Sequence, residues 1–330
     1  MEKPITRLPA LIVAGALLAG CASSPKAPPT PPASPPAPSM ANTTAQPAVD
    51  PAIPNRPIWR APPMAFPPGT PAASRIVQIT LREHLAWYQP FIDVNGRLAS
   101  RRVAEAERAK LNDGSEAWER VVAYWRDSGT LYRMLGSSTA AYQCQNPFSS
   151  GFARNECRAF LVDVPWSAAF ISYVMTQAGV AGFTPSPSHI DYIRAAYRGQ
   201  GPYAFADPNQ TKIAPGDMLC YVRNSQSVIG HGGLTTFLAA GNGGLQSHCD
   251  IAVSLTPNEV WLVGGNVANM VTMRKLRLDG QGRALLPRPI SDDWVMADED
   301  GQSPACSPAN EAACSMNRQN WAALLKLTAP

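Results

Sequence analysis

The sequence lacks several features that usually indicate a function. It carries a formal net charge of only +4, from 28 basic and 24 acidic residues, and no cluster of Lys and Arg is interleaved with aromatic residues. Nucleic acid is therefore not an expected partner. The chain has only four histidines, no C-x-x-C pair and no internal repeat. We therefore expect no cofactor, and a structural zinc site is a weak competitor to disulfides for the cysteines.

Proline, by contrast, is abundant and unevenly distributed. About half of the 33 prolines lie in residues 22–73, together with Ala, Ser and Thr. Such a composition cannot build a core and favours extended conformations. We expect residues 21–73 to be a disordered tether, residues 74–135 a helical extension, and residues 136–330 the main domain with a cysteine-looped C-terminal tail.

Residues 1–20 have the pattern of an export signal. Lys3 and Arg7 precede an apolar run, Leu8–Gly20, that is too short to span a bilayer as a mature helix. The small residues directly before Cys21 resemble a bacterial lipoprotein signal, which implies lipidation of Cys21. Ala22 then implies anchoring in the outer membrane, facing the periplasm. The alternative is an ordinary signal or anchor helix that happens to contain a cysteine.

The six cysteines beyond Cys21 form an even set, which in an exported chain argues for disulfides. Fifteen pairings are possible. Close spacing favours Cys144–Cys157 and Cys306–Cys314, which leaves Cys220 and Cys249.

Hydrophobic periodicity predicts helices first and strands later, an α+β arrangement. A helix is predicted from Pro165 to Gly179 with Asp163 as its cap, and another begins after Ser188. The other predicted helices are Ser74–Gln89, Ala99–Leu111 and Ser115–Gly129, the last with an Asp113–Glu116 capping box. The predicted strands, forming an antiparallel meander, are Pro215–Arg223, Ser247–Leu255, Glu259–Gly265 and Met270–Leu278.

One serine stands where a nucleophile would be placed. Ser167 lies in the first turn of its predicted helix, where backbone N–H groups stabilise developing negative charge. His248 is the preferred base because a strand holds it, and Asp250 shares its face of that strand. Asn266, on the next strand, is the expected orienting residue. His231 is expected in a glycine-rich loop, and His189 at a helix start.

Four segments together resemble a known superfamily. "PWSAAFISYVMTQAGV", "PGD", "SHCDIAVSL" and "WLVGGNVANMVTMRK" are similar to the NlpC-type and CHAP papain-like cell-wall hydrolases, and more closely to the bacterial family catalogued as domain of unknown function 2272. The resemblance covers about Leu161–Leu278 and implies a papain-like, helix-then-antiparallel-sheet core.

The resemblance also implies roles for individual residues. Ser167 occupies the position of the superfamily's cysteine nucleophile, His248 that of the base and Asn266 that of the orienting residue. Serine needs its base more than cysteine does, and Asp250 is expected to supply a charge through a bulge or a water. Three further residues are assigned to the substrate cleft or its edge: Trp166, His189 and Asp217.

Three functions remain open at this point. The first is a peptidoglycan stem-peptide amidase or endopeptidase that uses a Ser167–His248 pair. The second is a non-catalytic module that binds cell-wall peptides or a partner protein. The third, a metal-dependent amidase with His248, Asp250 and His231 as ligands, ranks last because the usual fuller ligand signature is missing.

Overall fold

The computed structural model describes residues 57–225, 227–289 and 305–330. The predicted signal, the lipidation site at Cys21 and most of the predicted tether lie outside these residues. The described residues form a mixed α+β structure of eight α-helices and one eight-stranded sheet.

The helices and strands follow one another along the chain in a mixed order. The helices are α1 (Ala72–Ala86), α2 (Ala117–Asp127), α3 (Leu131–Met134), α4 (Thr139–Gln143), α5 (Gly151–Asp163), α6 (Ser167–Gln177), α7 (His189–Tyr197) and α8 (Gly230–Ala240). The strands are β1 (Phe91–Ile92), β2 (Leu98–Ala99), β3 (Tyr203–Ala206), β4 (Met218–Val222), β5 (Ser247–Leu255), β6 (Glu259–Val267), β7 (Met270–Arg277) and β8 (Asn320–Leu327). A short 3₁₀ helix covers Glu311–Cys314.

The sheet has the order β2-β1-β7-β6-β5-β4-β8-β3. Strands β4 to β7 are antiparallel neighbours, as the alternating pattern predicted. The β1–β7 pair is parallel, which makes the sheet mixed. Helices α1, α2, α5 and α6 contribute apolar side chains to one large core that also receives one face of the sheet. The other face has a smaller core around Tyr221 and Trp321.

All three cysteine pairs favoured by the sequence are disulfides in the structure. Cys144–Cys157 links α4 to α5, and Cys306–Cys314 closes the C-terminal loop. Cys220 and Cys249 lie directly opposite each other in the β4–β5 ladder, where the close approach of the strands allows the bond.

One predicted helix and one predicted capping box were wrong, whereas the predicted Ser115–Gly129 helix forms as α2. No helix forms over Ala99–Leu111, because tertiary contacts satisfy this backbone instead: the carbonyl of Ala106 accepts two hydrogen bonds from Arg158. The capping box is also absent. Asp113 bonds to Ser115 and Arg120 in a turn, and α2 begins only after Glu116.

Several elements were not predicted, among them α5, β3, α8 and β8. The "IGHGGL" segment, expected as a loop, is the start of α8, which packs near β8. Strand β8 itself lies between β4 and β3. No single helix in the described part of the chain is long and apolar enough to cross a bilayer; α5 and α6 pass only as a pair bent by 100°.

Candidate active site

Ser167 is the first residue of α6. The N-cap residue, Trp166, offers no side-chain hydrogen bond to the helix, so its side chain leaves the N–H groups of the residues that follow it unoccupied. The expected cap, Asp163, is instead the last residue of α5. Ser167 is 7% exposed. Its hydroxyl therefore lies at a helix start that retains donors for a developing negative charge.

The hydrogen-bond partner of Ser167 is His189 rather than the predicted His248. The distance from Ser167 Oγ to His189 Nε2 is 2.7 Å. His189 is the first residue of α7, and its Nδ1 is bonded to the hydroxyl of Tyr192, one turn further along the helix. His189 was predicted only as a cleft wall. In the structure it is a buried histidine in direct contact with the candidate nucleophile.

His248 is paired with Asp250. His248 Nε2 lies 2.8 Å from Asp250 Oδ1, and both side chains are fully buried. The expected bulge or water is not needed, because the β4–β5 register is regular here and the imidazole reaches the carboxylate directly. The other ring nitrogen, Nδ1, has no hydrogen-bond partner among the described residues. The ring centroids of His248 and His189 are 5.1 Å apart, so the two histidines are neighbours.

A glycine on the adjacent strand makes room for this pair. A Cβ at Gly264 would lie 1.9 Å from Asp250 Oδ1 and 2.8 Å from His248 Nε2. At Gly265 it would instead lie 2.4 Å from Phe170 Cβ and 2.6 Å from Phe170 Cγ. Both glycines of the "VGG" sequence are thus required, because side chains pack directly against β6 at these two positions and leave no space for a Cβ.

Arg274 on β7 holds the second oxygen of the Asp250 carboxylate. Its Nε lies 3.1 Å from Asp250 Oδ2, and it is 1% exposed. Burial alone would raise the pKa of Asp250, but its interactions and hydrogen bonds with His248 and Arg274 hold this pKa below its usual value. Asp250 is therefore an ionised acceptor.

Both histidines of the site are neutral at physiological pH. Burial is the main cause that lowers the pKa of His248, outweighing the opposing effect of Asp250. Burial also holds the pKa of His189 well below its usual value, and the nearby His248 and Arg223 lower it further. With Nε2–H donated to Asp250, His248 presents an unprotonated Nδ1. His189 can likewise accept the Ser167 proton at Nε2 if its Nδ1–H is donated to Tyr192.

Asn266 does not orient either histidine. The side-chain amide is oriented so that its nitrogen faces an acceptor and its oxygen faces a donor. In this orientation Nδ2 donates to Glu105 Oε2 (3.2 Å) and Oδ1 accepts from the Trp166 backbone N–H (3.3 Å). Glu105 also accepts from the Trp166 indole at 3.2 Å. Asn266 has a left-handed backbone, with φ of 55°, which asparagine tolerates well. It therefore fixes the residue before Ser167, and Asp250 takes the predicted orienting role.

Two residues assigned to the cleft have structural contacts instead. Trp166 is completely buried and stacks on Trp87, with ring centroids 5.8 Å apart. Asp217 is buried at the start of β4, where it accepts hydrogen bonds from the backbone N–H groups of Ala214 and Leu327 and pairs with Lys326. Burial raises the pKa of Asp217, and its bonds join the "PGD" turn to the end of β8.

The third histidine considered for the site lies elsewhere. His231, on α8, bonds to the carbonyl of Ala322 and stacks on Phe205 at 4.9 Å. Within the described ranges no three His, Cys, Asp or Glu side chains are grouped to hold a metal ion. The set His248, Asp250 and His231 does not form.

Sequence reasoning missed Tyr192, Gly264 and Arg274. Only Tyr192 had a local signal, since it follows His189 by three residues and so shares its helix face. Arg274 follows Asp250 by 24 residues, and the contact exists only because β5, β6 and β7 are consecutive in the sheet.

A family model described as "Uncharacterized protein conserved in bacteria (DUF2272)" matches residues 112–327. The match includes Ser167, His189, His248, Asp250 and Arg274 and extends to the last residue of β8. Comparison with curated proteins and with solved structures gives no match.

Proposed function

Because the chain belongs to the bacterial family DUF2272, whose description as an uncharacterized protein states no activity, we propose its function from the geometry of the site. The proposal is a serine hydrolase that cleaves an amide bond in the peptide part of the cell wall. The observation that carries it is the 2.7 Å contact between Ser167 Oγ and His189 Nε2 at the start of a helix without a side-chain cap.

The proposed reaction begins with attack of Ser167 Oγ on the amide carbonyl. The hydroxyl proton passes to His189 Nε2, and the carbonyl oxygen becomes an oxyanion facing the first-turn N–H groups of α6. Collapse of this intermediate breaks the C–N bond as His189 returns the proton to the leaving amine. Water, activated by the same nitrogen, then hydrolyses the acyl-serine and restores the hydroxyl.

The second histidine has a supporting role in this proposal. The proton on His189 creates a positive charge in a buried place, beside the neutral ring of His248. Asp250 bonds to the Nε2 of that second ring and keeps its Nδ1 unprotonated, so that His248 adds no second positive charge to the site. Tyr192 fixes the ring of His189 from the opposite side. The predicted Ser167–His248 pair is thus replaced by a Ser167–His189 contact backed by His248 and Asp250.

The substrate class and the location rest on the sequence. A lipidated Cys21 and a proline-rich tether would place the domain between the outer membrane and the wall. The three disulfides support an oxidising compartment, as expected of an exported protein. The likeness of the Ser167, His248 and Asn266 segments to papain-like wall hydrolases supports a peptide amide as the bond that is cleaved.

The test is incubation of the full-length protein with purified peptidoglycan, followed by mass spectrometry of the released fragments. Wild type, Ser167→Ala, Ser167→Cys and Ser172→Ala are compared. Ser172 is a matched control because it is a second buried serine on α6, and its hydroxyl bonds to the backbone of Ser186 instead of to a histidine. We expect cleavage by wild type and by Ser172→Ala, and none by Ser167→Ala.

A non-catalytic binding module is the second candidate, and the low exposure of Ser167 favours it. In that case wild type releases nothing but still binds peptidoglycan. Cleavage by Ser167→Cys alone would mean that the site retains its geometry and lacks only a sufficiently reactive nucleophile.

A further inference from the structure

The C-terminal segment after the Cys306–Cys314 disulfide contacts the turn between β1 and β2 and the strand β7. The Met316 N–H donates to Gly96 O at 3.0 Å. Asn317 is fully buried, and its Nδ2 donates to Asp93 O at 2.8 Å and to Lys275 O at 3.1 Å. Both donor contacts of the amide are satisfied by backbone carbonyls, which leaves its oxygen in a fixed direction.

That oxygen is directed at Arg274. Asn317 Oδ1 accepts from Arg274 Nη1 at 3.1 Å, and the carbonyl of Met316 accepts from the same nitrogen. The guanidinium also lies near the rings of Tyr221 and Trp321, at 5.9 and 5.7 Å from their centroids. The planar group is therefore held in one orientation by two acceptors and two aromatic rings.

Arg274 in turn fixes the orientation of the Asp250 carboxylate. Its Nε bonds to Asp250 Oδ2, while Asp250 Oδ1 bonds to His248 Nε2. Each carboxylate oxygen thus has one partner, and rotation of the carboxylate would break both bonds. A continuous chain of buried hydrogen bonds runs from Asn317 through Arg274 and Asp250 to His248.

We propose that Arg274 and Asn317 are positioning residues that fix His248, through Asp250, with its Nε2 protonated and its Nδ1 free. The C-terminal segment of the chain then completes the site instead of acting as a tail. The positioning itself is a property of the fold. Its importance for catalysis rests on the proposed function.

A purely structural role for Arg274 would predict something different. Loss of packing would lower stability but would leave the protonation of His248 unchanged in any variant that still folds. Loss of positioning would allow the Asp250 carboxylate to rotate and His248 to exchange its tautomer. It would also remove a nearby positive charge that opposes protonation of the ring.

The experiment is NMR of the full chain with labelled histidine, since only four histidines need assignment. Wild type, Arg274→Gln, Asn317→Ala and Arg274→Lys are titrated. Arg318→Ala is the control, because Arg318 neighbours Asn317 and its guanidinium donates to the carbonyls of Ala312 and Arg288. We expect a single Nε2–H tautomer for His248 in wild type and in Arg318→Ala.

In Arg274→Gln we expect mixed tautomers of His248 and an upward shift of its pKa, with partial rescue in Arg274→Lys. In Asn317→Ala, which keeps the charge of Arg274, we expect mixed tautomers of His248 because the guanidinium loses one of its acceptors. Should Arg274→Gln fail to fold, Asn317→Ala provides the test, and a single unchanged tautomer of His248 in folded Asn317→Ala would overturn the proposal.

Activity is measured separately on the same variants with the peptidoglycan assay. A loss of about 10–100-fold in kcat is the usual size of effect when a group that orients a histidine is removed. A wild-type protein without activity would remove the proposed function and leave the NMR result on positioning intact.

Discussion

Gly264 lies against the Asp250 carboxylate, and β6 has no space for a side chain at this position. A Cβ would approach Asp250 Oδ1 to 1.9 Å, and the obstacle is a side chain tied by two buried hydrogen bonds. Asp250 cannot move aside without leaving either His248 or Arg274 unpaired, and an unpaired buried charge is costly.

We therefore predict that Gly264→Ala destabilises the protein by roughly 1–3 kcal/mol, as overpacking of a closed site does. It should also abolish any activity that depends on the His248–Asp250 pair. Urea unfolding monitored by tryptophan fluorescence provides the free energy of unfolding.

Gly232→Ala is the matched control for this prediction. Gly232 is exposed on α8, and a Cβ there meets nothing within 4 Å. The substitution should stabilise the helix by about 0.5–1 kcal/mol. Changes of opposite sign in the free energy of unfolding of the two variants would separate crowding at Gly264 from the general effect of replacing a glycine. Unchanged stability in Gly264→Ala would contradict the packing described here.

At the scale of elements, β8 decides whether the sheet is continuous. It lies between β4 and β3 and pairs with both. Trp321, Ala323 and Leu325 are buried in it. Through Asn320 it also holds the start of α8, since Asn320 Oδ1 accepts from the Gly230 N–H and Nδ2 donates to Val228 O.

We predict that a chain ending at Gln319 does not fold cooperatively. The truncation exposes the edges of β3 and β4 and removes one wall of the smaller core, so both backbone pairing and apolar burial are lost. Circular dichroism during thermal unfolding should show no sharp transition. The comparison is Trp261→Ala, a partly buried tryptophan on β6. That variant should unfold cooperatively, and a cooperative transition in the truncated chain would disprove the prediction.

For the whole molecule, the buried histidines determine how stability depends on pH. Burial lowers the pKa values of His84, His189 and His248 below that of a free imidazole. These groups bind protons more readily in the unfolded chain than in the folded one. The stability they contribute is present above the pKa of the unfolded state, about 6.5, and is lost as the pH falls below it.

We predict that the free energy of unfolding decreases below about pH 6.5, by up to about 1.4 kcal/mol per pH unit for each of these histidines. Urea unfolding between pH 8 and pH 5 measures the slope. His189→Gln should make the slope shallower, because one titrating group is removed. Ser172→Ala loses a buried hydrogen bond without a titratable group, so it should shift the curve without changing its slope. A stability that is flat across this range would contradict the assigned protonation states.

Much of the fold was predictable from local patterns. The Ser247–Leu255 strand matches its prediction, and β6 and β7 differ from theirs by one or two residues at one end. Short runs rich in β-branched and apolar residues between turn residues are a local signal for strands, even where both faces are buried. The three cysteine pairs followed from spacing and from the predicted pairing of two strands. Ser167 at a helix start followed from the proline before it. These features depend on residues that are close in sequence or in adjacent elements.

The sequence alone therefore determined the α+β class, the disulfides, the position of Ser167 and the presence of histidines and Asp250 as chemical groups. Only the tertiary structure decided that His189 bonds to Ser167 and that Asn266 bonds to the backbone of Trp166. It also decided that Arg274, held by Asn317, bonds to Asp250. The reason is geometric. A hydrogen bond is made or lost over about half an ångström, while sequence periodicity assigns a side chain only to a face of an element. Partners within a face are selected by the packing of strands and loops that are far apart in the chain.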